Sequence, residues 1–298
     1  MFTKKRRDGT YLKNLHFLTQ IMPYLMPTRT EAAIYFEQEY DVTKTLEYVR
    51  KHKDSGGPKM TMFYIILYAG IRVIAQRPNM NRFIAGQRIY QRNNISYNFT
   101  AKRELSDEGE EFTVTMSFSP LISLEKFCKK IDDYISSHKK GKNSDTEKLN
   151  AFLSGMPRFF IRSFVWLVRF LDYHNALPRV IMDALPFYTT VFFANVGSVG
   201  IDAPFHHTFE IGTCGIFCTI GKIRKEPCLK PDGTVEMRDK VKINFTFEDR
   251  ITDGIYCARA VDMLRDLVEN PEKLEMPLEM TPEQWAALGL AKTELTSE

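Results

Sequence analysis

The chain has 298 residues, 44% of them hydrophobic, and its 41 basic and 37 acidic side chains leave a net charge of +4. That length suits one large core or two modest ones, the charge is too small and dispersed to argue for nucleic acid, and no run reaches the ~18 uncharged apolar residues of a membrane-spanning helix. The opening Met-Phe-Thr-Lys-Lys-Arg-Arg has no apolar run behind it, so no secretory leader is expected, and five cysteines in so long a chain read as reduced thiols of a cytoplasmic protein.

Residues 1–20 are basic, then apolar, and predict an arm with a short helix. The first convincing strand is 31–40, followed by a helix over 41–50 capped by Asp41 or Thr43. Residues 53–58 are a loop. A strongly apolar helix starts at Thr61 and runs to Ile74, with Phe63, Ile66, Leu67, Val73 and Ile74 toward the core, and 78–81 closes it. Residues 82–90, 95–101 and 110–118 read as successive strands, and a helix follows from Ser123 through Ile135. Residues 141–145 form a polar linker.

The stretch 149–185 is long and greasy, and within it 159–171 is apolar nearly all round except for Arg162 and Arg169, which share one helix face. Basic residues amid aromatics suit a membrane surface. A helix packed against its own subunit or a neighbour accommodates the pattern equally and is the preferred reading. Cys214 and Cys218 fall four apart in an apolar strand-like run, which reads as core packing. No ligand spacing announces a metal.

Residues 241–247 alternate Val241, Ile243, Phe245 and Phe247 with Lys242, Asn244 and Thr246, the period of a strand with one buried face. Asp253-Gly254 then turns the chain into a helix marked by Ile255, Ala258, Val261, Leu264 and Leu267. A strand, a charged loop and a helix opening at Asp-Gly place acidic and basic groups at a strand end, where sites tend to sit. After Pro271 the chain continues as a tail, with Thr281 capping a short helix that has Pro at its first position; weak packing or service to a partner is expected of it.

The run Glu248-Asp-Arg-Ile-Thr-Asp-Gly254 resembles the carboxyl-terminal motif of the superfamily of chloramphenicol acetyltransferase and the dihydrolipoamide acyltransferase catalytic domain. There a strand ends in His-x-x-x-Asp-Gly, often Asp-His-Arg-x-x-Asp-Gly. Arg250, Asp253 and Gly254 match, but Asp249 stands where the catalytic His belongs. Phe192-Phe-Ala-Asn-Val-Gly-Ser-Val-Gly200 resembles the family's Ile-Ser strand, with Ala194 at the oxyanion-stabilising Ser, and 214–222 resembles its apolar strand ending in Gly. The likeness covers 25–135 by pattern and 185–270 more closely. It implies an α+β, chloramphenicol-acetyltransferase-like two-layer sandwich: a mixed sheet with helices packed on it, forming trimers. One such domain spans 1–270 with the apolar insertion at 149–185, and 271–298 is the tail.

The resemblance further implies transfer of an acyl group from an acyl-coenzyme A thioester, with no metal, at a site between subunits of a homotrimer that can assemble further. Without lipoyl or peripheral-subunit-binding segments the chain is not expected to be a complete dihydrolipoamide acyltransferase. Asp253 would hold the loop through an Arg, and Arg29 is the candidate partner, a solvated Arg29 being the alternative. A carboxylate with a reference pKa near ~4 is a weaker base than an imidazole near ~6.5, and Arg250 would push the Asp249 value lower still. His206 or His207 and the hydroxyl of Ser198 are the substitutes in reach of sequence reasoning, against a merely solvated role for each. Two functions stay open: an acyltransferase using Asp249 or a nearby His, and a trimeric scaffold that kept the fold without the chemistry.

Overall fold

Six strands turn their alternate apolar residues to one side of a single sheet, and helices cover that side. The computed structural model describes residues 5–102, 111–139 and 144–296; the expected strand start at Glu110 and most of the polar linker (141–143) lie outside the described residues.

The basic arm contains β1 (Gly9–Tyr11), which its sequence does not announce, and then α1 (Phe17–Leu25). β2 (Ala33–Asp41) leads into α2 (Thr43–Asp54); neither expected cap holds the capping position, which is Val42, and the Asp41 carboxylate one residue earlier accepts the Thr43 N–H at 3.1 Å. α3 (Met62–Gln76) opens where Thr61 accepts the N–H of Tyr64 at 3.2 Å. The single strand expected over 82–90 is a hairpin, β3 (Arg82–Ala85) and β4 (Arg88–Arg92). Its turn residues Gly86 and Gln87 both have positive φ, the mirror-image turn whose twist matches paired strands. β5 (Ile95–Lys102), β6 (Glu111–Phe118) and α4 (Leu124–Lys139) follow. The greasy stretch is three helices, α5 (Asp145–Ser154), α6 (Arg158–Tyr173) and α7 (Arg179–Ala184). Last come β7 (Val191–Asn195), β8 (Ile216–Leu229), β9 (Val235–Glu248), α8 (Gly254–Glu269), α9 (Pro282–Leu288) and α10 (Lys292–Thr296).

The large sheet runs β2-β9-β8-β7-β5-β6, with β7 parallel to both β5 and β8 and the other pairs antiparallel. Register places Phe247 beside Ile216 and Val191, and Phe245 beside Cys218 and Phe193, all on the face covered by α3, α4 and α8. Both cysteines of the apolar run are core residues, and all five cysteines are free thiols. Burial pushes the Cys257 and Cys128 thiols up to about 12, so they are inert as nucleophiles. The opposite face sets Asn244, Thr246, Thr219, Asn98 and Thr115 beside the stacked rings of Phe192 and Phe217.

A smaller sheet, β1-β4-β3, stacks the Phe83 and Tyr90 rings and carries the fully buried Arg92. Burial pushes that guanidinium down to about 10, and its donors go to the Tyr188 and Thr213 carbonyls and the Thr213 hydroxyl.

The tail is not weakly packed. Leu274 and Leu288 lie in the main core, Arg72 donates to the Leu274 carbonyl at 2.9 Å and the Met276 carbonyl at 2.6 Å, and Gln284 donates to the Gln76 carbonyl at 3.0 Å. Leu278, Met280, Trp285 and Leu290 pack half-buried around those two leucines, which sequence spacing alone does not reveal. Leu288→Ala is expected to cost ~2–5 kcal/mol in chemical denaturation, as for other core leucines. A loss below ~0.5 kcal/mol would mark the tail as a detachable appendage.

Candidate active site

The strand β9 ends at a closed electrostatic corner. Because residues 242, 244, 246 and 248 alternate away from the core, the last of them, Glu248, would point a carboxylate into solvent were that face open there. Two buried arginines cover it instead. Arg29 Nε lies 3.0 Å from Glu248 Oε2, and Arg250 Nη2 lies 2.5 Å from Oε1. Arg29 spends its other donors on the carbonyls of Phe209, Glu210 and Ile84 at 3.1–3.3 Å, and Arg250 Nη1 donates to the Met26 carbonyl at 2.7 Å. One guanidinium thus ties together the end of β9, the loop before β8, and β3. Glu210 adds a second carboxylate. Burial alone would raise it, but hydrogen bonds from the Thr30 hydroxyl and from the Thr30 and Arg29 N–H groups, with the Arg29 charge, hold it below its ordinary value.

This corrects the expected pairing. Arg29 is neither solvated nor paired with Asp253; Glu248 is its partner. Asp253 is the cap of α8, accepting the Tyr256 N–H at 2.9 Å, and Gly254 is the first residue of that helix. Sequence reasoning passed over Glu248 and Glu210. The signal for Glu248 was present, since it is the final outward position of the alternating strand and the acidic residue that opens the motif.

Asp249 begins a short 3₁₀ turn, Asp249–Ile251, and its backbone N–H donates to the Ala32 carbonyl at 2.8 Å. Its half-buried carboxylate makes no hydrogen bond or ion pair among the described residues. Desolvation by burial raises its pKa above the ordinary carboxylate value. The expected lowering by Arg250 does not occur, because that guanidinium is turned to Glu248 and Met26.

His206 and His207 lie in the loop over the face away from the core. The His206 ring stacks on Phe217, with centroids 3.9 Å apart and planes at 10°, and its Nδ1 is 2.7 Å from the His207 carbonyl. A carbonyl only accepts, so Nδ1 is the donor in that contact. Nε2 has no partner among the described residues. His207 Nδ1 sits 3.0 Å from the Thr208 carbonyl. Ser198 is exposed, and its hydroxyl donates to the Asn195 carbonyl at 2.8 Å. Ala194 lies on the same face, beside Thr219, whose hydroxyl donates to the Pro204 carbonyl.

The chain does not bring these groups to one place. Ala194 is level with Asn244, five residues back along β9 from Asp249 and two strands across. At ~3.3 Å per residue and ~4.8 Å per strand the two are roughly 19 Å apart. The Asp249 corner is one end of the molecule's candidate chemistry and Ala194 and Ser198 are the other, with His206 between them over Phe217 and Thr246. Beside the corner, a cleft of about 530 Å³ is lined by Thr28, Arg29, Thr30, Tyr188 and Arg250. The Tyr188 hydroxyl and Arg250 Nε are buried without a hydrogen-bond partner. No cluster of His, Cys, Asp or Glu suited to a metal occurs among the described residues.

Solved structures share this arrangement over most of the chain. A probable dihydrolipoamide acetyltransferase from Listeria monocytogenes superposes with a TM-score of 0.58 at 15% identity, covering 91% of this chain and 99% of that one. The chain carries the chloramphenicol acetyltransferase-like acyltransferase fold. The dihydrolipoamide acetyltransferase of Azotobacter vinelandii shares the fold with a TM-score of 0.59 at 13% identity, over 89% of this chain and 94% of its own. In that enzyme the catalytic roles of a serine, a histidine and, four positions on, an asparagine were investigated. The same interval separates Asp249 from Asp253. Chloramphenicol acetyltransferase matches with a TM-score of 0.50 at 12% identity, over 88% and 98% of the two chains. Residues 189–276, from just before β7 through α8 to the start of the tail, match the model of the 2-oxoacid dehydrogenases acyltransferase (catalytic domain). A comparison with curated proteins gives no match. The long α6 packs on Leu177, Met182 and Tyr188 in a small cluster apart from the main core.

Proposed function

We propose that this protein transfers an acyl group from a coenzyme A thioester to a second nucleophile at a site shared between subunits of a homotrimer, with Asp249 as the general base. The observation that carries this reading is the state of Asp249. Every other charged side chain of the corner is engaged, in the pairs among Arg29, Glu248 and Arg250 or, for Asp253, in capping α8. The carboxylate at the base position alone has no partner among the described residues, and burial has raised its proton affinity. A carboxylate in that condition accepts a proton from an attacking hydroxyl or thiol more readily than a solvated one.

The separation of the two half-sites argues for the shared location. A head-to-tail contact would bring one subunit's Asp249 end against another's Ala194–Ser198 end, and three such contacts close a ring. The amide-rich arm of coenzyme A fits the donors left over in the cleft: Tyr188 and Arg250 would hold its carbonyls, and Thr28 lines the mouth. The His206 ring, stacked on Phe217 between the two half-sites, is the second candidate base.

The scaffold reading rests on Ala194. A methyl group there offers no hydroxyl to a developing oxyanion, and loss of such a donor costs on the order of 10²- to 10³-fold. Incubation with acetyl-coenzyme A and a panel of hydroxyl and thiol acceptors, read by mass spectrometry of acetylated product, separates the two. Turnover by the native chain at least ~10²-fold above Asp249→Ala is the expected result. Absence of product, together with absence of coenzyme A binding by calorimetry, would leave the scaffold.

A further inference from the structure

Helix α6 carries hydrophobic residues on the side it buries and on the side it exposes. Phe164, Val168 and Leu171 pack against Leu177, Met182 and Tyr188. On the opposite side Phe159 is 73% exposed and Trp166 63%, with Phe160, Leu167, Phe170 and Tyr173 exposed beside them. At roughly 100° per residue, Phe159, Trp166, Phe170 and Tyr173 fall within about 60° of one another, a continuous aromatic ridge along a helix ~24 Å long. The Trp166 and Phe170 rings stack at 5.4 Å, which keeps the ridge ordered in water.

The charges are arranged as regularly as the rings. Arg162, Arg169 and Arg158 lie about 40°, 60° and 80° to one side of Trp166, forming a single row beside the ridge. All three are exposed, and none makes an ion pair among the described residues. The helix's one acidic residue, Asp172, is turned inward, 2.9 Å from the buried guanidinium of Arg6. The exposed side of α6 therefore carries three cations and no anion.

We infer that the α6 ridge seats the protein on an anionic lipid surface, lying in the plane of the interface. A flat apolar boundary takes in the ridge while the arginine row reaches the headgroups alongside it. No helix among the described residues is long and apolar enough to cross a membrane, so the contact is superficial. A second copy of the chain is the poorer occupant. An antiparallel two-fold pairing of two ridges sets arginine row against arginine row, and a parallel one sets the row against Phe160 and Leu167, with no carboxylate in either case. This inference does not rest on the acyl-transfer reading, although Arg169 and Tyr173 also line the cleft beside the Asp249 corner.

The sequence has two tryptophans, and the other, Trp285, is half-buried in the core, so Trp285→Phe leaves Trp166 as the sole reporter. With phosphatidylglycerol-containing vesicles, Trp166 emission is expected to shift to the blue and to be quenched by brominated acyl chains; pure phosphatidylcholine should give a far weaker response. The native chain should co-sediment with the anionic vesicles. A folded triple variant, Arg158→Gln with Arg162→Gln and Arg169→Gln, should partition on the order of 100-fold less, and Phe159→Ser with Trp166→Ser should stay in solution. Failure of the native chain to co-sediment at low salt would overturn the inference, as would equal binding by the arginine variant. A blue shift without vesicles that grows with protein concentration and tracks a change in mass would give the ridge to a second copy instead.

Discussion

Glu248→Ala is expected to destabilise the protein by ~3–5 kcal/mol, the cost of stripping one partner from a buried ion pair. The expectation is at the upper end of that range because one carboxylate serves two guanidiniums. Removing it strands Arg29 and Arg250 together, both buried, and the backbone carbonyls that Arg29 also engages satisfy its donors without cancelling its charge. The remaining carboxylate, Glu210, is held by Thr30 and the Arg29 N–H and is not free to swing in. Guanidinium denaturation should show the loss as a lower midpoint at nearly unchanged slope, with Tm down by roughly 10 °C. Glu248→Gln keeps the shape and an acceptor but not the charge, and should fall between. A measured cost under ~1 kcal/mol would mean that water enters the corner and solvates the arginines, and the corner would then not hold Asp249 in a fixed place.

The sheet was legible in the sequence because its signal is local. Val241, Ile243, Phe245 and Phe247 alternate over a span short enough to read directly, and each meets the core as the period demands. The β3–β4 hairpin was not legible as two strands. Its reversal at Gly86 and Gln87 lacks the Asn-Gly or Asp-Gly signature, and the fold tolerates a positive φ at Gln87 that propensity disfavours. Site geometry was harder, since it is decided by contacts across the chain. Nothing near Asp253 in sequence tells that Arg29 prefers Glu248, a choice made because Glu248 ends β9 on its outward side while Asp253 lies beyond the strand and caps α8. The effect of Arg250 on Asp249 was misread for the same reason: adjacent residues at a strand end diverge, and the guanidinium follows Glu248 to the outward side. The setting of the His206 ring depends on its neighbour's carbonyl and on the Phe217 ring, neither of which spacing reveals.

Asp249→Asn is expected to move stability and turnover in opposite directions. In the folded protein, desolvation raises the Asp249 pKa above its unfolded value, with no cation offsetting the charge. A carboxyl shifted upward binds its proton more tightly in the folded state, so it costs stability wherever it is ionised and nothing where it is protonated in both states. The neutral amide removes that cost. The variant should therefore unfold at a higher temperature than the native chain at pH 7, and the difference should shrink to nothing as pH falls through the folded value to below ~3.9, the ordinary carboxylate pKa. Acyl transfer should show the reverse. The amide accepts no proton, so product formation should drop by ~10²- to 10⁴-fold, and in the native chain activity should fall as pH descends through the raised Asp249 value. An Asn variant equal to the native chain in stability at pH 7 would mean that the carboxylate is solvated. One that gained stability and kept its activity would hand the proton to His206. The expected combination, more stable and inactive, is what a carboxylate held for chemistry rather than for packing gives, because packing alone has no use for an unpaired, half-buried charge.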